Sequence, residues 1–143
     1  MTLIKIYPSL FDDFDFVCLG AKFSPHSPIK RALKVSNAEL TSLYKNSSGL
    51  IQPSLYEGFG LPAVEAMYHK KNVLACDNSA TSEIGLNHYV YFNHKDPLDL
   101  HDKIYEIYEG KHEDKIEGGY KRAVSFCPES QGRMFNKIIN GLL

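Results

Sequence analysis

The apolar run Gly49-Leu50-Ile51-Gln52 ends at Pro53 and is followed, past Ser54-Leu55-Tyr56-Glu57, by Gly58-Phe59-Gly60-Leu61-Pro62-Ala63-Val64-Glu65-Ala66-Met67. A short apolar run bounded by glycine and proline reads as a buried strand. Pro62 suits the first position of a helix, because its ring presets φ and its missing N–H has no partner there. The chain must therefore pass from a strand through a glycine-bracketed turn into a helix that starts near Leu61, a unit that most strongly restricts the possible folds.

The same alternation runs along the rest of the sequence. Phe16-Val17-Cys18-Leu19-Gly20 reads as a buried parallel strand, and Ala21 to Arg31, with Pro25 and Pro28, as loop or broken helix. Ser36 and Glu39 have capping-box spacing, with Leu40, Leu43 and Tyr44 following at helical period. Val73 to Cys76 and Tyr89 to Phe92 read as further strands, with a short helix between them capped by Asn78 or Ser79. Asp96 and Pro97 open a helix whose buried face is Leu100, Ile104, Ile107 and Tyr108, and Gly110 stops it. The remainder reads as helical, with one stripe at Ile116, Tyr120, Ala123 and Val124, weakened by Gly118-Gly119. A second lies at Met134, Phe135, Ile138, Ile139 and Leu142. Strands alternating with helices predict an α/β fold, a Rossmann-like parallel sheet flanked by helices.

The turn into the Pro62 helix has the chemistry of an anion site. Backbone N–H groups of Gly60, Leu61, Ala63 and Val64 are expected to point out of it, and the helix dipole adds about half a positive charge there. A diphosphate matches that environment. Gly58 and Gly60 allow positive φ and close approach of a ligand to the backbone, a freedom Phe59 lacks. Glu65, read as lying in the first helical turn, leans toward the helix N-terminus and is placed to accept hydrogen bonds from a ribose diol. Glu57 lies near the carboxyl end of the preceding strand, where open parallel sheets bind ligands, placed for a sugar hydroxyl or for positive charge developing on an anomeric carbon. Singly, each feature has a plain structural reading: the dipole alone favours a glutamate in a first turn, and Gly-x-Gly turns are common packing devices.

Together, Pro53 to Met67 resembles the signature of the retaining, nucleotide-sugar-dependent glycosyltransferases of group 1 (family 4), with its Glu-x7-Glu motif written as Glu57 to Glu65. Looser similarity runs from about Phe16 to Cys127, through Val35-Ser36-Asn37-Ala38-Glu39-Leu40 and Tyr89-Val90-Tyr91-Phe92. The resemblance implies the C-terminal, donor-binding half of a GT-B enzyme, in which two Rossmann-like domains face each other across a cleft. It implies a catalytic-centre role for Glu57 beside the donor sugar, ribose binding by Glu65, and donor contacts from Gly58, Phe59, Gly60 and Leu61. The implied reaction is transfer of a hexosyl group from a nucleoside diphosphate sugar to an acceptor hydroxyl with retention, in cell-surface polysaccharide or lipopolysaccharide assembly. No metal and no cofactor is implied.

Size and charge fit half of such an enzyme. The chain of 143 residues, 43% hydrophobic and 23% charged, reads as one donor-binding domain over residues 1–143. A net charge of −1 without a basic run argues against nucleic acid as a partner. Cys18, Cys76 and Cys127 are odd in number and widely spaced, which reads as small buried hydrophobes in a reducing compartment. Met1 to Ile6 lacks the apolar core of a signal peptide, and no run reaches the ~20 residues of a membrane helix. The expected location is cytoplasmic, with the complete enzyme peripheral to the inner face of a membrane.

Departures from the family pattern sharpen the expectation. Lys70-Lys71-Asn72 stands where the family commonly has Gly-x-Pro. A lysine in the left-handed conformation expected there costs about 1 kcal/mol. Phe126-Cys127-Pro128 replaces a common Phe-Ser-Trp. The family's opening strand and basic phosphate loop have no counterpart, so the domain reads as incomplete at its N-terminus, with the acceptor domain absent: a fragment, half of a split gene, or a decayed enzyme. Leu3 to Leu10 reads as the tail of an interdomain helix, or Thr2 to Tyr7 as a strand filling the vacant slot. Loss of a central strand would leave backbone edges unpaired. Lys30 and Arg31 read as solvated, with a phosphate contact as the alternative; Asp13-Phe14-Asp15 reads as a solvated turn with Asp12, with a divalent-cation Asp-x-Asp as the alternative. His26, His69, His88, His94, His101 and His112 lack paired ligand spacing. Two functional classes remain: the donor-binding half of a glycosyltransferase, whose saccharide or lipid-linked acceptor is held by the missing domain, and a non-catalytic nucleotide-sugar binding or interaction module. Intact Glu57 and Glu65 favour the first; the missing upstream half favours the second.

Overall fold

A computed structural model describes residues 10–19, 29–32, 34–76 and 79–142. The expectations for Leu3 to Ser9, Gly20 to Pro28 and the Asn78 cap concern residues outside these.

In chain order the elements are α1 (Leu10–Asp13), β1 (Val17–Leu19), β2 (Lys30–Ala32), α2 (Asn37–Asn46), β3 (Gly49–Gln52), α3 (Leu61–Tyr68), β4 (Asn72–Cys76), α4 (Ser79–Gly85), β5 (Val90–Phe92), α5 (Pro97–Tyr108), α6 (Asp114–Ser125) and α7 (Pro128–Leu142). A 3-10 turn at Leu86–His88 joins α4 to β5. The strands are all parallel, as expected for an α/β chain. β3, β4 and β5 form one sheet in that order, and β1 pairs with β2 in another. β2 corrects the reading of Ala21 to Arg31 as loop or broken helix: Lys30 and Arg31 pair in register with Val17 and Cys18. Among the described residues no ladder joins β1 to β3.

β4 is buried along its whole length. Its side chains alternate between two cores. Val73 and Ala75 face a cluster with Tyr44, Ala63, Ala66, Met67, Ile84, Tyr89 and Ala123, whereas Leu74 and Cys76 face Leu10, Val90, Phe92, Leu100 and Ile104. Helices α2, α3, α4 and α6 thus cover one face and α1 and α5 the other, a three-layer Rossmann-like arrangement. Phe14 ties α1 to α5 through edge-on contacts with Tyr105 and Tyr108, each at 5.3 Å.

The expected caps are present at α2 and α5. Glu39 N–H donates to Ser36 Oγ and Ser36 N–H donates to Glu39 Oε2 at 2.7 Å, closing the capping box of α2. Asp96 accepts from Leu98 N–H, with Pro97 beginning α5. Gly118 and Gly119 have a different role from the helix weakness expected of them. A Cβ on Gly118 would lie 2.4 Å from the His88 ring and one on Gly119 3.3 Å from Met67, so these glycines let α6 approach the 3-10 turn and α3 closely. Lys70 adopts the left-handed conformation expected of it, with φ 56°. Its ammonium pairs with Glu117 at 3.1 Å and lies 4.9 Å from the centre of the Tyr120 ring, tying the end of α3 to α6.

Candidate functional site

The loop that leaves the carboxyl end of β3 at Pro53 runs through Glu57 to Gly60 and enters α3. Gly60 caps the helix at φ 80° and ψ 49°, the left-handed region that glycine occupies without penalty. Leu61 is the first helical residue, so Pro62 takes the second position, one later than the sequence suggested. Two of the four expected outward amides are also engaged: Ala63 and Val64 both donate to Gly60 O, at 2.9 and 3.2 Å. The amides of Gly58, Phe59, Gly60 and Leu61 have no carbonyl partner among the described residues. The amides without a carbonyl partner therefore lie in the loop itself, one step back from the helix. Gly58 faces open space, since a Cβ there would meet nothing within 4 Å, whereas Gly60 is buried and a Cβ on it would stand 3.6 Å from Glu57 Cγ.

Phe59, 39% exposed, meets Phe126 edge-on at 5.3 Å. The Arg122 guanidinium lies 4.6 Å from the centre of the Phe126 ring and donates to the carbonyls of Glu83 and Ile84 near the end of α4. Helices α4 and α6 thus brace the aromatic member of the loop, with a cation at a helix C-terminus as the dipole favours.

The two acids flank this turn. Gln52 Nε2 donates to Glu57 Oε2 at 3.0 Å and to Ser54 Oγ at 3.2 Å. Gln52, the last residue of β3, is 8% exposed, so this donor is fixed by the sheet. Glu65 is the fifth helical residue and lies just beyond the first turn, a correction to its expected place. Its carboxylate nevertheless reaches back along α3: Tyr44 Oη lies 2.9 Å from Glu65 Oε2 and 3.3 Å from Pro62 O, so one hydroxyl marks both the carboxylate and the first turn.

Tyr44 comes from α2 and is 8% exposed. Its ring stacks on His69 at 5.4 Å with a 17° interplanar angle. Burial, reinforced by the hydrogen bond to Glu65 and its charge, pushes the phenol far above its ordinary range, so Tyr44 remains a donor at every physiological pH. Neither Tyr44 nor Gln52 was identified from sequence as a site residue. From sequence alone Tyr44 belongs to a helical stripe, whereas Gln52, a lone polar residue closing an apolar strand, is a local signal for a buried donor.

The other candidates fall elsewhere. Asp13 accepts a hydrogen bond from Tyr105 OH, which joins α1 to α5. Cys76 is buried as expected, but Cys18 and Cys127 are only partly so: Cys18 is on the face of β1 opposite the exposed Val17 and Leu19, and Cys127 lies between α6 and α7. His112 pairs with Glu106 at 2.8 Å and His101 with Asp102 at 3.0 Å. No described helix is long and apolar enough to cross a membrane.

A parallel sheet with helices on both faces and a glycine turn at a strand's carboxyl end defines a Rossmann-like domain. Residues 28–122 match the family described as glycosyl transferases group 1, and the chain belongs to that family. It is similar to the serotype-specific mannosyltransferase WbdA of Escherichia coli, 39% identical over 86 residues that cover 57% of this chain and 11% of the relative. It is also similar to the O-antigen chain mannosyltransferase RfbU of Salmonella typhimurium, 38% identical over 63 residues that cover 44% of this chain and 18% of the relative. The matched stretches thus span between about a tenth and a fifth of the length of these curated relatives.

Proposed function

We propose that the chain is the donor-binding domain, over residues 1–143, of a retaining glycosyltransferase that moves a hexosyl group from a nucleoside diphosphate sugar to an acceptor hydroxyl. The observation that carries this reading is the meeting, at the carboxyl end of β3, of four amides without carbonyl partners and two acids each held by a buried donor. Similarity to two proteins named as mannosyltransferases supports mannose as the sugar and O-antigen or related cell-surface polysaccharide as the product. A facing domain supplies the saccharide or lipid-linked acceptor, and the work takes place in the cytoplasm or at the inner face of the membrane.

In this reading the amides of Gly58, Phe59, Gly60 and Leu61 contact the sugar hydroxyls and the diphosphate, and Glu65 accepts from the ribose diol. Glu57 lies by the anomeric carbon, where its charge offsets positive charge as the bond to the diphosphate oxygen breaks. The acceptor oxygen bonds to the same face of that carbon, and its proton passes to the departing phosphate oxygen, which retains the configuration. Each preorganised donor at the leaving group is worth about 3–4 kcal/mol in comparable sites.

Titration calorimetry of the folded chain with GDP, UDP and their mannose and glucose conjugates tests the reading. Binding of one diphosphate and its conjugate is expected; no heat with any of them contradicts it. Binding with no transfer, after a facing acceptor domain has been supplied, favours the non-catalytic nucleotide-sugar module instead.

A further inference from the structure

We infer that Tyr44 is a positioning residue for the donor's ribose, holding the Glu65 carboxylate in its receiving orientation; this rests on the proposed donor site. A glutamate on an exposed helix face samples many rotamers, and fixing it when a ligand arrives reduces affinity. Glu65 is exposed by position, yet its Oε2 is held at 2.9 Å by a hydroxyl from another helix.

The holder is rigid for reasons independent of Glu65. Tyr44 is buried in the core cluster with Ala63, Ala66 and Met67 of α3, its ring stacks on His69, and α2 begins with a closed capping box. The phenol has one proton, and the charged oxygen at 2.9 Å takes it in preference to the Pro62 carbonyl at 3.3 Å. Among the described residues Oε1 has no donor, so one oxygen is anchored and the other is free to accept from a diol. This division of labour within one carboxylate gives direction to a side chain that its own helix leaves mobile.

The test uses the folded chain with GDP and UDP and their 2′,3′-dideoxy analogues, which keep base and diphosphate but lack the diol. Wild type is expected to bind the diol form about tenfold more tightly, the scale of hydrogen bonds to a charged acceptor. Tyr44→Phe keeps the stacked ring and is expected to narrow that ratio to about threefold while leaving dideoxy affinity unchanged. In a Glu65→Ala background the same change is expected to do nothing further. Glu65→Asp, which shortens the reach to an intact Tyr44, is expected to lose the discrimination too, and it serves if Tyr44→Phe does not fold.

A wild-type ratio in Tyr44→Phe, with the ratio abolished in Glu65→Ala, overturns the positioning role while leaving the donor site standing. Equal weakening of both ligand forms in Tyr44→Phe shows only a tie between α2 and α3 and likewise overturns it. Absence of diol discrimination in wild type, or of any diphosphate binding, removes the donor reading at Glu65 together with this inference.

Discussion

Glu57 and Glu65 stand on either side of one turn, and they are supported in contrasting ways. Glu57 is held by Gln52, five residues earlier on the strand that feeds the loop; Glu65 is held by Tyr44, twenty-one residues earlier on a different helix. The first support is built by the local chain path, so it forms wherever β3 and its loop form. The second requires α2 to be capped, packed and in register with α3. The reaction-centre acid of the proposed mechanism therefore rests on local structure and the proposed ribose acid on tertiary structure.

The largest effect expected from breaking this contrast is at Glu57. Glu57→Ala is expected to lower transfer by about 10²–10³-fold, measured with the complete enzyme, with nucleoside diphosphate binding unchanged and sugar-conjugate binding weakened. Glu65→Ala is expected to weaken the free diphosphate and its conjugate equally, by about tenfold in calorimetry. Equal responses of both ligands to both substitutions would erase the distinction between the acids. Gln52→Leu fills the same buried place without a donor, so Glu57 loses its anchor. A loss of about 1 kcal/mol in stability is expected in denaturant unfolding, together with a drop of a few fold in conjugate affinity alone.

Much of this architecture was legible because it is local. β3 occupies the predicted residues, and the Ser36–Glu39 box and the Asp96-Pro97 start are where their side-chain chemistry requires them. The left-handed Lys70 follows from the glycine that the family pattern carries at that place, where it would end the helix. β2 was missed because three residues after two prolines carry too little pattern to separate a strand from a loop. Gly118 and Gly119 look like helix weakness in sequence because only the tertiary contact with His88 and Met67 reveals why a side chain does not fit. Around the candidate site, the strand, the glycine turn and the positions of both acids beside it follow from local sequence, while the roles proposed for them rest on the family resemblance. The shift of the unpartnered amides away from Ala63 and Val64 was not legible in sequence, because it depends on how Gly60 turns its carbonyl into the helix. Tyr44 could not be paired with Glu65 by any local rule.

Smaller effects probe the frame around the two acids. Lys70→Gly relieves the left-handed strain of about 1 kcal/mol and loses an exposed ion pair worth a few tenths of that. A rise of about 2 °C in the melting temperature is expected. A fall would show that the Glu117 and Tyr120 contacts outweigh the strain. The capping box gives a pH dependence of definite sign. The Ser36 backbone N–H and then its hydroxyl hold the Glu39 carboxyl below its ordinary range. Its contribution is therefore complete above the unfolded value of about 4.3 and is lost as pH falls through the lower folded value. Thermal melts from about pH 6 to about pH 3 are expected to show a steeper loss for wild type than for Glu39→Gln.

The central claim is that the loop amides and the two acids form one ligand mouth. Amide-resolved NMR titration of the labelled chain with the best-binding nucleoside diphosphate tests it most directly. The account predicts the largest shifts at the N–H groups of Gly58, Phe59, Gly60 and Leu61, with Glu65 moving alongside them. Saturable binding that leaves those amides unmoved and shifts another surface would contradict it.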